Sequence, residues 1–519
     1  MNKIKLIANI AFLTFFSRIT GLIRELIFAK YFGTTNVADV INLSFRLPNL
    51  FRKIFAEGAM SSIFIPEFNQ RKLLSTKYAH VFAEKTLVYL TIISVTFVLL
   101  SEIFMPYLLY LIAPGFLKNP KKFELSVYMC RITMPYISLF SIVALIGSIL
   151  NSLEKFQAFA ITSVIMNIYL ILGMIFLEPY FSYYSFSISL ILSGITQLLI
   201  INHELSKTNF KINYKSLAKH ISYSYLKHLI TNKNSKFYKI IKNSNFALII
   251  SGLQQLNIFI SQSFASLIPS AISLINYADR INQICISIIG VTLSTILLPE
   301  LSELYKKKNS LKINLLQNTF LRWGMFLSIP ITIFIIFFSE HIVQIIFQRG
   351  NFTESDTLQT SRILLISILG ALPVILAKIL NNAFYANQEL KSLMNISFYM
   401  LILNILLTIV LLKYWGVYGI AFSITITNWA NLFFTIYLSI KKSYLKIASQ
   451  TKIFLLKILF INILLLIANL YIKEFVIIMM NDKILIYKLI LISFLILIEL
   501  SIYIFFSYII GAIKMLKFS

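Results

Sequence analysis

Arginine stands out among the side chains near the N-terminus that could do chemistry. Between residues 15 and 67, charged side chains fall inside or at the ends of otherwise apolar runs. An ionisable side chain near a bilayer centre costs about 2.5–3.5 kcal/mol even on a lenient insertion scale. Several of them in consecutive helices are therefore expected to face a water-accessible cavity. The set is Arg18, Arg24, Glu25, Asp39, Arg46, Arg52, Lys53 and Glu57.

The sign of these charges predicts the kind of ligand. Guanidinium groups bind phosphate in bidentate fashion and stay charged when they leave bulk water. Arg18, Arg24 and Arg52, together with Arg280 farther along the chain, predict a site for an anion, and a pyrophosphate is a good fit. The alternative is that the charges form structural ion pairs at helix ends.

A second set of residues is predicted to support or gate this cavity. In the second predicted helix, Asp39, Arg46 and Lys53 are spaced seven apart and share one face. Pro48 removes a hydrogen bond to the Ser44 carbonyl and is expected to kink that helix. A bend at the glycine of the first helix would turn both of its arginines toward one cavity. The supporting set is Gly21, Asp39, Arg46, Asn49, Lys53, Glu57 and Asp279.

The composition indicates a membrane protein. Of 519 residues, 58% are hydrophobic and 13% charged, and the mean hydropathy is +0.81. The net charge of +27 comes from lysines clustered between apolar runs, which is the positive-inside pattern of membrane proteins, so no nucleic-acid partner is expected. Both termini are predicted to be cytoplasmic.

Catalytic and metal-binding motifs are missing from the sequence. It has no Walker A, HExxH, GxSxG or GxGxxG pattern, and its histidines lack ligand spacing. We therefore expect no enzyme, no cofactor and no metal site. Without a nucleotide site, transport work would come from the membrane potential or an ion gradient.

Apolar runs of roughly 20 residues predict an all-α polytopic protein of about 14 transmembrane helices. The predicted spans lie near residues 5–30, 36–65, 82–112, 126–150, 157–177, 182–202, 244–268, 271–299, 317–346, 360–385, 393–412, 417–439, 453–472 and 484–512.

An internal sequence repeat predicts two lobes. Ile41–Arg46 resembles Ile275–Arg280, six spans later, and an even separation implies parallel repeats. The predicted parts are an N-terminal lobe (1–205), a cytoplasmic basic connector (206–243), a C-terminal lobe (244–445) and a C-terminal helix pair (446–519).

Several segments closely resemble the MurJ (MviN) family of bacterial lipid II flippases, in the multidrug/oligosaccharidyl-lipid/polysaccharide exporter superfamily. They are FFSRITGLIRE, FGTTNVADVINLSFRLPNLFRKIFAEGAMSSIFIPEF, Ala113–Phe116, Tyr277–Arg280 and Phe347–Phe352. The resemblance implies a multi-pass protein of the bacterial inner membrane that moves lipid II, an undecaprenyl-pyrophosphate-linked disaccharide pentapeptide, outward by alternating access during peptidoglycan synthesis.

The resemblance also implies residue roles. The family's cavity arginines fall on Arg18, Arg24, Arg52 and Arg280, its helix 2 aspartate falls on Asp39, and its last two helices form a groove for the lipid tail. Sodium coupling is not expected, because the seventh, eleventh and twelfth predicted spans contain no Asp or Glu.

Other functions stay open beside this one. They are export of another polyprenyl-linked oligosaccharide, export of drugs and a non-transporting scaffold for cell-wall enzymes. Intramembrane arginines argue against a cation exporter. The expected partners are lipid II, membrane lipids and cell-wall synthesis proteins.

Overall fold

A computed structural model of the chain describes residues 3–51, 64–208, 210, 236–480 and 485–516. Within those ranges all regular secondary structure is helical, which confirms the predicted all-α class. The chain divides into two compact units, Met1–Ser273 and Leu274–Ser519. The four-part division drawn from the sequence stays a prediction, and most of the basic connector falls outside the described residues.

Long helices build the first unit. They are α1 (Lys3–Phe32), α2 (Asn36–Phe51), α3 (Ile65–Leu74), α4 (Thr76–Ile103), α5 (Met105–Ile112), α6 (Pro120–Thr133), α7 (Tyr136–Ser152), α8 (Phe156–Leu172), α9 (Glu178–Phe181), α10 (Tyr184–Ser206) and α11 (Lys236–Ala265). A 3-10 turn at Pro114–Lys118 precedes α6, and a π-helical turn at Gly173–Leu177 follows α8.

The second unit continues the pattern after α12, which begins in the first. Its helices are α12 (Ala271–Cys285), α13 (Thr292–Lys306), α14 (Ser310–Phe347), α15 (Glu354–Ile368), α16 (Ala371–Ala386), α17 (Leu390–Lys441), α18 (Ser449–Met480) and α19 (Leu485–Ile509). A π-helical segment at Ile286–Val291 joins α12 to α13, and a 3-10 turn at Ile513–Leu516 follows α19.

Ten helical stretches among the described residues are long and apolar enough to cross a bilayer. They match the predicted spans three to six and eight to fourteen. The eleventh and twelfth predicted spans lie together in α17. The first, second and seventh predicted spans fall on α1, α2 and α11, insofar as those residues are described. The chain is therefore a multi-pass membrane protein, while the count of 14 stays a prediction.

Gly416 interrupts α17. Its φ of 54° and ψ of −132° lie in a region that glycine adopts easily and residues with a Cβ avoid. The break falls between the spans predicted near 393–412 and 417–439.

The helix contacts that matter for the site are those of α1 with α8 and of α2 with α6. Pro48 lies within α2 and cannot donate to the Ser44 carbonyl, as expected from the sequence. The structure shows what takes the place of that bond. The Thr133 hydroxyl at the end of α6 donates to the Ser44 carbonyl at 2.9 Å, so the carbonyl is satisfied between helices.

Candidate functional site

Arg24 is the predicted site residue with the most complete set of described contacts. It lies on α1 and is 5% exposed. Its guanidinium pairs with the neighbouring Glu25 carboxylate and donates to Asn167 Oδ1 on α8 at 3.0 Å. The same group lies 4.9 Å from the ring centre of Phe45 on α2, within cation–π range. Arg24 therefore ties three helices of the first unit together around a buried cation.

Asn167 fixes the position of that cation. Its amide nitrogen donates to the Ser17 carbonyl at 3.2 Å and to Thr20 Oγ1 at 3.3 Å, while its oxygen accepts from Arg24. At Gly21, an added Cβ would lie 3.5 Å from the Asn167 amide nitrogen, an ordinary contact. The helix α1 continues through Gly21 without interruption, so the glycine lies against α8 within one regular helix.

Asp39 anchors a second cluster, at the start of α2. Its carboxylate is fully buried and accepts from Lys122 Nζ at 2.7 Å. It also accepts from the backbone N–H groups of Ser270 at 3.0 Å and Ser273 at 2.9 Å, and from Ser273 Oγ at 2.7 Å. An anion that accepts N–H groups at the first turn of a helix stabilises that helix end. Asp39 thus caps α12 and pairs with a lysine, and its described partners include no arginine.

Lys122 supplies the positive charge of this cluster from the first turn of α6. The residue is 7% exposed, and its ammonium donates to Asn36 Oδ1 at 3.0 Å and lies 4.2 Å from the ring centre of Phe116. Asn42 adds a bond to Ser273 Oγ at 3.3 Å. This cluster, formed by Asn36, Asp39, Asn42, Lys122, Ser270 and Ser273, is called the Asp39 cluster below.

The remaining supporting residues of α2 have local roles. With the Gln262 amide oxygen turned toward α2, Arg46 Nε donates to it at 2.9 Å, and Gln262 is buried on α11. Asn49 donates back to the Phe45 carbonyl at 2.7 Å within its own helix.

In the second unit, Asp279 and Arg280 lie on α12 and are half-buried. Tyr277, one turn earlier, is fully buried, with its ring centre 4.9 Å from that of Phe347 and 5.1 Å from that of Phe352. The Phe347–Phe352 segment therefore packs on the same stretch of α12 that carries the predicted arginine.

Arg349, in that segment, closes the end of α14. Its guanidinium donates to the carbonyls of Ile345 at 2.6 Å and Ile346 at 2.7 Å, so it caps the helix C-terminus. Burial lowers the pKa of this arginine. Because Arg349 Nη2 donates to both carbonyls, this side chain stabilises the end of α14.

The structure brings only some of the predicted site residues together. Within the first unit, Arg24 joins Glu25, and Asp39 lies in its own cluster, whereas Arg18 is exposed on α1. Arg52, Lys53 and Glu57 lie outside the described residues. Several partners of these residues were not predicted from the sequence: Asn167, Gln262, Ser270, Ser273 and the buried counter-ion Lys122. Among the described residues, no group of three or more His, Cys, Asp or Glu could hold a metal ion.

The fold and the buried charges are those of one class of membrane protein. A polytopic all-α chain with buried polar clusters inside its helix packing is typical of membrane transporters. An inward-facing multidrug transporter structure of the MATE family, in the MOP superfamily, matches with a TM-score of 0.69 and 14% identity, over 82% of this chain and 94% of that one. At that identity the match supports the fold alone.

The family follows from closer relatives. A family model described as "Lipid II flippase MurJ" matches residues 28–491. A relative from Rickettsia prowazekii named "Probable lipid II flippase MurJ" is 39% identical over 506 residues, 97% of each chain. One of the same name from Buchnera aphidicola subsp. Schizaphis graminum is 33% identical over 88% of this chain and 87% of its own. A solved "Lipid II flippase MurJ, inward closed conformation" matches with a TM-score of 0.77 and 26% identity, over 96% and 98% of the chains. The chain belongs to the MurJ family.

Proposed function

We propose that this protein flips lipid II from the inner to the outer leaflet of the bacterial inner membrane by alternating access. Family membership over most of the chain carries the proposal, since lipid II is the substrate named for the family and for its relatives. The protein is a transporter in this proposal, with no catalytic step, and both termini lie in the cytoplasm.

The pyrophosphate of lipid II is the part that arginines recognise. We assign its binding to Arg18, Arg24, Arg52 and Arg280. The buried Arg24 supports this assignment, because a guanidinium held by Asn167 and paired with a carboxylate is preorganised for an anion. Glu25 occupies the guanidinium in the described structure, so an arriving phosphate would compete with it.

In the same proposal the Asp39 cluster acts as a gating element. It joins the starts of α2, α6 and α12 through one buried carboxylate. An ion pair whose partners lie on different helices favours one arrangement of those helices, and separation exposes both charges. Membrane potential or an ion gradient would reset the cycle, at roughly 2.3 kcal/mol per charge for each 100 mV.

Two alternatives make different predictions. An exporter of another polyprenyl-linked oligosaccharide would keep the arginines but prefer a different headgroup. A non-transporting scaffold for cell-wall enzymes would leave them as structural ion pairs. Binding of lipid II in competition with other lipid-linked sugars separates the first alternative from the proposal.

The test measures arrival of lipid II at the outer leaflet for Arg18→Ala, Arg24→Ala, Arg52→Ala and Arg280→Ala, after membrane insertion is confirmed. Arg131→Ala is the matched control, since its side chain is 40% exposed and donates to the Glu102 carbonyl. We expect loss of flipping in the four variants and normal flipping in the control. Wild-type flipping in all four would reject the phosphate assignment.

A further inference from the structure

The C-terminal helix pair contains an isolated carboxyl group. Glu499 on α19 is 9% exposed and accepts from Asn469 Nδ2 on α18 at 3.1 Å. Its second oxygen, Oε2, is buried without a hydrogen-bond partner among the described residues, and no described cation pairs with the carboxyl. A buried charge without a counter-ion is unfavourable in a bilayer, so this environment favours the neutral acid.

The surroundings of Glu499 differ in its two directions along α19. Toward the start of the helix, Ile492 packs on an apolar cluster with Phe334 and Phe338 of α14. Toward its end, the next turns carry Tyr503 and Ser507, at spacings of four residues on the same face. Within two turns of Glu499 on this face, the polar side chains therefore lie toward the C-terminal end of α19.

That series of polar groups reaches the end of the helix. The Tyr503 hydroxyl donates to the Phe326 carbonyl of α14 at 2.8 Å, and Ser507 is fully buried. Beyond them, Lys457 Nζ of α18 donates to the Ile510 carbonyl at 2.7 Å. The distance from Glu499 to this end is on the order of 15 Å at the rise of an α-helix.

Few other titratable groups of α14, α18 and α19 lie close to Glu499. Tyr503 lies one turn from Glu499, and Lys457 is held at the C-terminal end. At the opposite end of this helix packing, near the start of α19, the charged groups around His341 of α14 are Glu340, Lys473 and Lys488. The other charged residues of α14 and α18, which are Lys312, Arg322, Lys452 and Glu474, make no described contact with Glu499.

We propose that Glu499 is a proton-binding site that exchanges with the C-terminal end of α19, and that α18 and α19 stay fully packed only while it is neutral. The unpartnered Oε2 is the atom that carries the proton. Loss of the proton places an unpaired charge between the helices and loosens their packing. Under the proposed function, on which this last step rests, the pH of the solution at the C-terminal end of α19 would then regulate lipid II transport.

The test compares the wild-type protein with Glu499→Gln in lipid nanodiscs, because glutamine keeps the shape and cannot ionise. Glu474→Gln is the matched control, an exposed glutamate on α18. We expect the apparent unfolding temperature of the wild type and the control to fall between about pH 5 and about pH 9, and that of Glu499→Gln to fall less. The same pH response in all three proteins would overturn the proposal.

A second measurement uses the folded wild type and does not depend on the variant being stable. Infrared spectra at neutral pH should contain the C=O band of a protonated carboxylic acid that exchanges slowly with deuterium. Its absence would also overturn the proposal.

A sided pH change in proteoliposomes then tests the link to transport. We expect lipid II flipping by the wild type to respond to pH on the C-terminal side and flipping by Glu499→Gln to be insensitive. If the wild type does not flip lipid II at all, the proposed function fails, while the proton site is still decided by the unfolding and infrared data.

Discussion

Replacement of Asp39 by asparagine should destabilise the protein through its effect on Lys122. The carboxylate is fully buried and the lysine 7% exposed, with 2.7 Å between Nζ and Oδ2. Removing one partner of a buried ion pair leaves the other charge unpaired, at a cost of about 3–5 kcal/mol. Asparagine keeps one oxygen for the Ser273 donors, so most of the loss comes from the charge.

The reverse change should cost less. In Lys122→Met the Asp39 carboxylate stays buried but still accepts from Ser270 and Ser273. Hydrogen bonds to a charged group contribute about 1.5–3 kcal/mol each, so these donors offset part of its desolvation. The double variant contains no buried charge at this position and should recover much of the stability lost in Asp39→Asn.

Stability is measured by reversible denaturant titration in mixed micelles, for the wild type, the single variants and the double variant. We expect a coupling energy of about 2–4 kcal/mol between the two positions. Lys121→Met is the control, because this neighbouring lysine is exposed. If the two single effects add to within about 0.5 kcal/mol, the ion pair does not stabilise the Asp39 cluster and the reasoning is wrong.

Three further changes test other contacts. Glu25→Gln removes the carboxylate that competes for Arg24 and should tighten binding of a soluble pyrophosphate headgroup analogue by about tenfold, measured by calorimetry; unchanged affinity would contradict the competition. Thr133→Val leaves the Ser44 carbonyl without its donor and should cost about 1–3 kcal/mol in a denaturant titration, whereas Thr133→Ser should cost much less. Gly416→Ala forces a Cβ into a positive-φ conformation and should cost about 1–3 kcal/mol; an equal or higher unfolding temperature would argue against this backbone conformation.

The sequence predicted the helices well because each is encoded locally. Apolar runs of about 20 residues mark the spans, and the gap between the spans predicted near 393–412 and 417–439 falls where Gly416 interrupts α17. The consequence of Pro48 for the Ser44 carbonyl was also predictable, since it follows from the missing N–H. The donor that replaces it, Thr133, was not.

The partners of the charged residues were harder to predict, because they come from distant parts of the chain. Lys122 follows Lys118 and Lys121 in the sequence, between the third and fourth predicted spans, and nothing local marks it as a counter-ion. In the structure it is the buried counter-ion of Asp39, 83 positions away. Periodicity gives the face on which a residue lies but not the helix that packs against that face.

The packing partners of residues in the C-terminal helix pair could not be predicted for the same reason. The sequence predicts a C-terminal helix pair with few polar residues, and the resemblance to the MurJ family implies a groove for the lipid tail. The structure places Asn469 against Glu499, 30 positions apart, and one carboxyl oxygen is buried without a partner among the described residues. An apolar helix pair suits a lipid tail, but it also makes any ionisable group within it sensitive to protonation, because an apolar environment disfavours the charged form. The low polarity of this helix pair therefore makes Glu499 a candidate site for regulation by pH. The apolar packing around this one carboxyl group controls whether it is charged.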